Sequence, residues 1–301
     1  MNSTKLKQKE HRNVKEKPTK EEIKLQFHWY LFGFFTTYLV SWLIPGILLY
    51  FYLILFYVPN FFLVSNFFNI FLKLENLLTF LSLPIALLAI YLIHVFLVAL
   101  ITRIFWRITE KIRPSKDGTI PRNIPSKTLN YYHLRSFLIK YPKHLVIRGL
   151  FPWLINWLYN FIGTNKIGKG TTIEEQFGAD KFIETGENCY LGVNSGFSSH
   201  AVDGIFGNVD YFKIKLGDNV TTAALNCLAP GVEIKDDAYL FPMAGATKHN
   251  IIKGNGNYYF GVPLRKIFTR KTANYLDVDK KLLEKAENLI EDNDEEIKEN
   301  G

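Results

Sequence analysis

The second half of the sequence repeats with a period of six. Ile167, Ile173, Ala179, Thr185, Leu191 and Phe197 are six places apart, and after an interruption the spacing resumes at Leu216, Thr222, Leu228, Ile234, Leu240, Ala246 and Ile252. Apart from the two threonines, these residues are apolar. Small or β-branched residues recur four places on, at Thr171, Cys189, Ser195, Val220, Val232, Ala238 and Ala244. A helix repeats near 3.6 and a half-buried strand near 2, so neither gives this pattern. A period of six predicts short strands that each send one residue inward and then turn. Three such strands make a triangular coil of about 18 residues, and stacked coils bury an aliphatic column. The narrow corners suit Gly168, Gly186, Gly192 and Gly217, each of which follows an inward position directly. The repeat predicts a β-solenoid over 167–267 of about four to five coils.

The first half has a different constraint. Leu25 to Leu72 is a run of 48 residues without Asp, Glu, Lys or Arg, and Asn76 to Thr102 is a second run of 27. A membrane-spanning helix needs about 20 apolar residues, so both runs qualify. The first can be one long helix, Phe27 to Val58, kinked at Pro45-Gly46, with Phe61 to Leu72 at the interface. Alternatively, the chain turns there and crosses twice. Flanking charge favours a single crossing. Residues 1–24 carry eight Lys/Arg, and Arg103, Arg107, Lys111, Arg113 and Lys116 follow the second run, whereas Lys73 is the only basic residue between the runs. Basic flanks stay cytoplasmic, so the expectation is a transmembrane helical hairpin over 25–112. The basic tail 1–24, the carboxy terminus and the solenoid would all be cytoplasmic. His94, inside the second span, is expected to pack against a neighbour.

Residues 113–166 read as a connector, broken by Pro114, Pro121 and Pro125. Within it, Leu145–Ile162 carries Trp153, Trp157 and Tyr159 and fits an interfacial helix or a core helix capping the solenoid. Residues 268–301 read as a short amphipathic helix and an acidic tail.

Three segments carry a family resemblance: Ile167-Gly168-Lys169-Gly170-Thr171-Thr172, Leu216-Gly217-Asp218-Asn219-Val220 and Gly261-Val262-Pro263-Leu264-Arg265-Lys266-Ile267. They resemble hexapeptide-repeat acyltransferases of the left-handed β-helix type, and the last is similar to that family's closing G-x-P-[AL]-[KR] turn. More narrowly, Asn160–Ile173 with Ser198-Ser199-His200 resembles the membrane-bound carboxy-terminal region of polylysine-synthetase-like proteins. The resemblance covers residues 145–267, and the spans only in general character. It implies an α + β chain in which a transmembrane helical hairpin precedes a left-handed parallel β-helix and a short carboxy-terminal helix. It also implies a homotrimer, with sites between adjacent prisms and acetyl-CoA as co-substrate. Hexapeptide motifs specify the fold and leave the substrate open.

Between Phe197 and Leu216 lie nineteen positions, one more than a coil, and the chain is expected to leave the wall as a loop. His200 stands at its start. In the resembling enzymes such a histidine takes a proton from the acceptor, and an imidazole pKa of about 6.5 suits that task. Asp203 or Asn194 could orient its ring, and His249 is the second candidate base. Gly245, Ala246 and Thr247 could line a groove for a pantetheine arm. Lys248, Arg265 and Lys266 could meet phosphates.

Other chemistries find little support. Two cysteines exclude a disulfide scaffold or a four-cysteine zinc site, and both read as small wall residues. The solenoid offers only His200 and His249, short of a three-histidine zinc site, so no metal is expected. The formal charge of +8 lacks the interleaved aromatics of a nucleic-acid platform. The activity that the resemblance implies is acyl transfer, O- or N-acetylation of a small-molecule or lipid-linked acceptor, with the bilayer as partner. Two alternatives stay open. One is a non-catalytic trimeric membrane scaffold. The other is amide-bond formation as in the polylysine synthetases, which would need an acyl-donor partner in trans, since no adenylation or carrier domain precedes the spans.

Overall fold

The computed structural model describes residues 27–64, 66, 68–174 and 181–267. The basic tail 1–24 and the carboxy-terminal helix and tail expected over 268–301 lie outside the described residues, as does the inward position Ala179. The chain divides into two compact units.

The first unit contains residues 27–167, 181–183 and 199–213 of those described. Helix α1 (Phe27–Phe51) runs through Pro45 and continues in wider π-type turns over Tyr52–Phe62. After a short α2 (Asn69–Leu72), α3 occupies Leu74–Ile112. Phe27–Phe62 is therefore one continuous helix, longer by four residues than the expected end at Val58. Both long helices have the length and apolarity to cross a membrane. The buried residues of α1 are Gly33, Thr37, Ser41 and Pro45, one every fourth place. That stripe of small residues lets the helix approach its neighbours closely. Most of the remaining α1 surface is exposed and apolar, as at Leu39, Leu43 and Ile47. His94 is buried, stacked on Trp42 with ring centroids 4.0 Å apart, and its Nε2 lies 3.1 Å from the Tyr141 hydroxyl.

Residues 113–166 are not the simple connector that their prolines suggest. They hold a strand (Gly118–Pro121) and helices α4 (Lys127–Leu138), α5 (Lys140–Ile147) and α6 (Ile155–Ile162). Ser126 starts α4 by accepting the Leu129 N–H at 3.1 Å, and Pro125 stands just outside the helix where it does no harm. In α6, Leu158, Tyr159 and Ile162 are buried and Trp153 just before it is exposed.

The second unit contains residues 168–174, 184–198 and 214–267. Its strands are two to four residues long and pair in parallel, except for the last pair, in which Asn257–Phe260 and Arg265–Ile267 run antiparallel. Thr221–Thr222 pairs with Ala238–Leu240, Cys227–Leu228 with Gly245–Ala246, and Glu233–Ile234 with Ile251–Ile252. Each of these registers is offset by 18 residues, so three strands complete one turn of the chain. The inward positions follow the sixfold repeat: Leu191, Phe197, Leu216, Thr222, Leu228, Ile234, Leu240, Ala246 and Ile252 are buried, as are the seven small residues four places after inward positions. Ile173, near the end, is half-buried.

The corners show a second period of six. Asn188, Asn194, Asn219, Leu225, Gly231, Asp237, Met243, His249 and Asn255 all have positive φ, between 54° and 77°. Left-handed backbone at each corner turns the chain without breaking the ladder. Asn and Asp tolerate it better than other side-chain-bearing residues do.

Candidate active site

The interruption of the repeat is 13 residues long, not a coil and one residue. Tyr190–Leu191 pairs with Thr221–Thr222, and Gly196–Phe197 with Cys227–Leu228, each with an offset of 31 rather than 18. The nineteen places from Phe197 to Leu216 are thus one ordinary step of six plus the insertion. The inserted chain is a β-hairpin, not a loose loop. His200–Asp203 pairs antiparallel with Asn208–Tyr211, which pairs in turn with Gly118–Pro121. The Phe212 N–H reaches the Ser199 carbonyl at 2.9 Å, and the Lys213 N–H reaches the Asp117 carboxylate at 2.7 Å. Ile120, Leu129, Tyr132, Val209 and Tyr211 form the core between this sheet and α4, with Phe182 stacked on Tyr211 at 4.7 Å.

His200 opens the hairpin and is half-buried. Its ring meets that of Tyr132 edge to face, with centroids 6.0 Å apart at 69°. His200, Val202 and Val209 line a cavity of about 310 Å³ whose other wall comes from α4 and its surroundings: Tyr132, His133, Ser136 and Phe137, with Arg122, Lys140, Lys181 and Tyr30. Lys181 is 3% exposed. Its ammonium donates to the Tyr132 carbonyl at 3.2 Å and to the Ser136 hydroxyl, and lies 4.0 Å from the centre of the Tyr132 ring. Ser199 fixes the lysine's backbone by donating its hydroxyl to the Lys181 carbonyl at 2.8 Å. Burial, followed by the charges of Lys181 and Arg122, holds His133 down to about 4, so this ring is neutral at ordinary pH.

The residues expected to assist His200 are placed otherwise. Strand alternation puts Asp203 on the face opposite His200, and its carboxylate accepts the Ile205 N–H at 3.2 Å. That side chain therefore does not orient the imidazole. Asn194 and His249 both occupy left-handed corners of the second unit, a conformational reason for an Asn at the first. His249 sits over Gly231, where an added Cβ would come within 2.5 Å of its Nδ1.

The expected pantetheine groove also changes. Ala246 is an inward, buried residue and cannot line an outer groove, and Gly245 is buried with a Val262 methyl 2.7 Å from where its Cβ would be. Thr247 and Lys248 are exposed, as are Arg265 and Lys266 on the closing strand, where consecutive side chains point to opposite faces. Cys189 is a buried wall residue, and burial pushes its thiol pKa up, whereas Cys227 lies on a wall strand with its side chain exposed. Among the described residues no group of three or more His, Cys, Asp or Glu is placed to hold a metal.

Most of the cavity residues were not visible in the sequence. Tyr132, His133, Ser136 and Arg122 come from the segment read as a connector, and Lys181 lies between the inward positions Ala179 and Thr185. The one usable signal is a polar Lys181 two places after the inward position Ala179.

No protein-family model matches the chain. A Bacillus subtilis (strain 168) protein named "Putative acetyltransferase YvoF" is 29% identical over 120 residues, 38% of this chain and 67% of that protein. Among solved structures, a maltose O-acetyltransferase from Clostridium difficile 630 overlays with a TM-score of 0.32 at 24% identity, covering 36% of this chain and 59% of that one. A hexapeptide-repeat acetyltransferase from Vibrio cholerae O1 biovar eltor, solved with acetyl coenzyme A, gives 0.33 at 18% identity, covering 36% and 61%. The chain spans about three fifths of the length of these two structures.

Proposed function

We propose that the protein is a membrane-anchored acetyltransferase in which His200 acts as general base and acetyl-CoA as donor. The observation that carries this reading is the position of His200, an imidazole on a hydrogen-bonded hairpin facing a cavity large enough for an acceptor. In the step envisaged, the imidazole takes the proton of an acceptor hydroxyl or amine as the oxygen or nitrogen bonds to the thioester carbonyl carbon. The C–S bond then breaks, and the departing thiolate takes the proton from the imidazolium. The name of the B. subtilis relative supports acetyl as the group transferred.

In this reading the parallel coils are a left-handed β-helix, the assembly is a homotrimer, Thr247 lies along the pantetheine arm, and Lys248, Arg265 and Lys266 meet the phosphates of the nucleotide. The two long helices span the bilayer, and their exposed apolar surface is what lipid would cover. Both flanks would then be cytoplasmic, as the basic residues suggest.

A second reading, a non-catalytic trimeric scaffold, is favoured by one observation: Asp203 lies on the hairpin face opposite His200, where its carboxylate accepts the Ile205 N–H. The two separate experimentally. Full-length protein in neutral detergent is incubated with acetyl-CoA and a panel of hydroxyl and amine acceptors while free thiol is followed. Acceptor-dependent thiol release that His200→Ala abolishes is expected. No release with any acceptor, together with no thermal shift on adding coenzyme A, overturns the enzyme reading.

A further inference from the structure

A second cavity of the first unit, of about 400 Å³, lies where α1, α3 and α4 meet. Trp29 comes from the first turn of α1, Ile112 ends α3 and Arg113 follows it, while Lys127, Asn130 and Leu134 belong to α4. We propose that this cavity binds the headgroup of an anionic glycerophospholipid that carries a free hydroxyl, with Arg113 and Lys127 meeting its phosphate. The inference rests on the reading of the two long helices as membrane spans. It is independent of His200 and of acetyl transfer.

Three observations carry it. The first is charge. Arg113 and Lys127 are exposed, and neither forms an ion pair among the described residues. The Arg113 guanidinium donates through Nε to the Thr128 hydroxyl at 3.1 Å, a neutral partner that holds it at the cavity and leaves its terminal nitrogens for an anion. Lys127 opens α4, where the helix's own partial positive charge disfavours a cation, and a phosphate in the cavity offsets both. The second is unmet hydrogen bonding. Trp29 Nε1 and Asn130 Oδ1 are buried and have no hydrogen-bond partner among the described residues, and both side chains line the cavity. A buried donor or acceptor left unpaired is costly. A small rotation of each side chain toward the cavity gives the indole N–H a phosphate oxygen and the amide oxygen a headgroup hydroxyl. A choline headgroup has neither N–H nor O–H and leaves the amide oxygen unpaired. The third is the surface that leads to the cavity. Ile104, Ile108 and Ile112 are exposed and four places apart, an apolar strip along the last turns of α3 that ends at the cavity wall. An acyl chain gains from that strip and a soluble phosphate ester does not. A volume of about 400 Å³ equals ~13 water molecules at ~30 Å³ each, room for the roughly ten non-hydrogen atoms of a phosphoglycerol group.

The test is native mass spectrometry of the full-length protein in neutral detergent, titrated with phosphatidylglycerol, with phosphatidylcholine of the same chains, and with soluble glycerophosphoglycerol. Phosphatidylglycerol is expected to bind about tenfold more tightly than phosphatidylcholine. Arg113→Gln/Lys127→Gln should remove most of that preference, and the exposed positions of both residues should leave the melting temperature near that of the parent. Trp29→Phe keeps a ring, removes the N–H, and should weaken phosphatidylglycerol by about threefold while leaving phosphatidylcholine unchanged. Arg107→Gln/Lys111→Gln alters exposed cations of α3 that do not line the cavity, and should change neither lipid. Equal binding of the two lipids by the parent overturns the proposal, as does a preference that survives the Arg113/Lys127 pair. An equal loss in the Arg107/Lys111 pair also overturns it, because a diffuse basic surface then accounts for the binding. Glycerophosphoglycerol binding as tightly as phosphatidylglycerol overturns the lipid as occupant. Membranes carrying the protein are washed in parallel with alkaline carbonate. Release into the wash removes the membrane reading and this site with it, whereas retention without lipid preference removes the site alone.

Discussion

Tyr132 presents its ring edge to face with His200, 6.0 Å between centroids, while the backbone carbonyl of the same tyrosine accepts a hydrogen bond from Lys181 at 3.2 Å. One residue of α4 thus positions both the proposed base and the buried cation. The sheet behind His200 cannot do this alone, because Asp203 faces the other way. Helix α4 therefore supplies the second half of the site, and changes to its inner face should alter catalysis without touching the hairpin.

Replacement of His200 with alanine is expected to lower acetyl transfer by about 10²–10⁴-fold, the usual contribution of a general base. The half-buried side chain is not part of the hairpin's core, so the melting temperature should stay near that of the parent protein. A loss of activity accompanied by a collapse of the melting curve would instead assign His200 a structural role.

Tyr132 is a positioning residue. Edge-to-face contact is worth about 0.5–1.5 kcal/mol, so Tyr132→Leu should cost about tenfold in kcat through a less well-held imidazole. Tyr132→Phe keeps the ring and should keep most of the activity. The acidic limb of the pH–rate profile is the diagnostic reading: it should move in the leucine variant and stay in the phenylalanine one. A purely structural tyrosine would leave that limb in place in both.

His133 makes stability depend on pH. Its folded value of about 4 lies below the ordinary 6.5 of imidazole, chiefly through burial and then through Lys181 and Arg122. Between those two values the unfolded chain binds the proton and the folded chain does not. The residue therefore has no effect above about pH 6.5, lowers stability as pH falls through the window, and adds nothing further below about 4. The ring is only half-buried, and solvent screening trims the full penalty to about 1–2 kcal/mol. His133→Asn should flatten the melting temperature against pH between 6.5 and 4 relative to the parent. Parallel curves for the two proteins would exclude this residue as the source.

The sequence repeat translates directly into the second unit because a side chain at the coil axis has one neighbour set and no alternative to burial. Leu216, Leu228, Ile234, Leu240 and Ile252 are each found there. The two long helices were similarly readable, since charge-free runs leave little choice. The site was less legible, for three reasons. Helix α4 is only weakly apolar, and the prolines before it read as the breaks of a connector. Lys181 meets Tyr132 across 49 residues of sequence, a contact that no local pattern encodes. Asn194 and His249 attracted attention for their chemistry, whereas the left-handed corner provides a conformational reason for their positions.

The end of α3 is tied to α4 by an ion pair whose loss should disturb the site at a distance. The Arg135 guanidinium, 3% exposed, contacts the Glu110 carboxylate, which also accepts the Ser115 N–H at 2.8 Å and the Ser115 hydroxyl at 2.6 Å. Arg135→Met leaves a partly buried carboxylate without its cation and should cost about 3–5 kcal/mol. Adding Glu110→Gln to that variant should restore part of the loss, because no uncompensated charge remains. Strict additivity of the two substitutions in thermal or denaturant unfolding would show that the pair is not coupled.

Leu225 offers a stabilising substitution. It occupies a corner of the second unit at φ 62°, a left-handed conformation that costs an ordinary L-residue about 1–2 kcal/mol. Its side chain is 51% exposed, so little packing holds it there. The equivalent corners at Asn188, Asn194, Asn219 and Asn255 carry asparagine, whose short amide tolerates this backbone. Leu225→Asn should therefore raise stability by about 0.5–1 kcal/mol, and Leu225→Gly by less, since glycine gains freedom in the unfolded chain. The order parent, glycine, asparagine in melting temperature is the expected result. A drop in both variants would mean that the leucine side chain is covered in the assembled protein, by a second copy or by lipid, and that its corner strain is offset there.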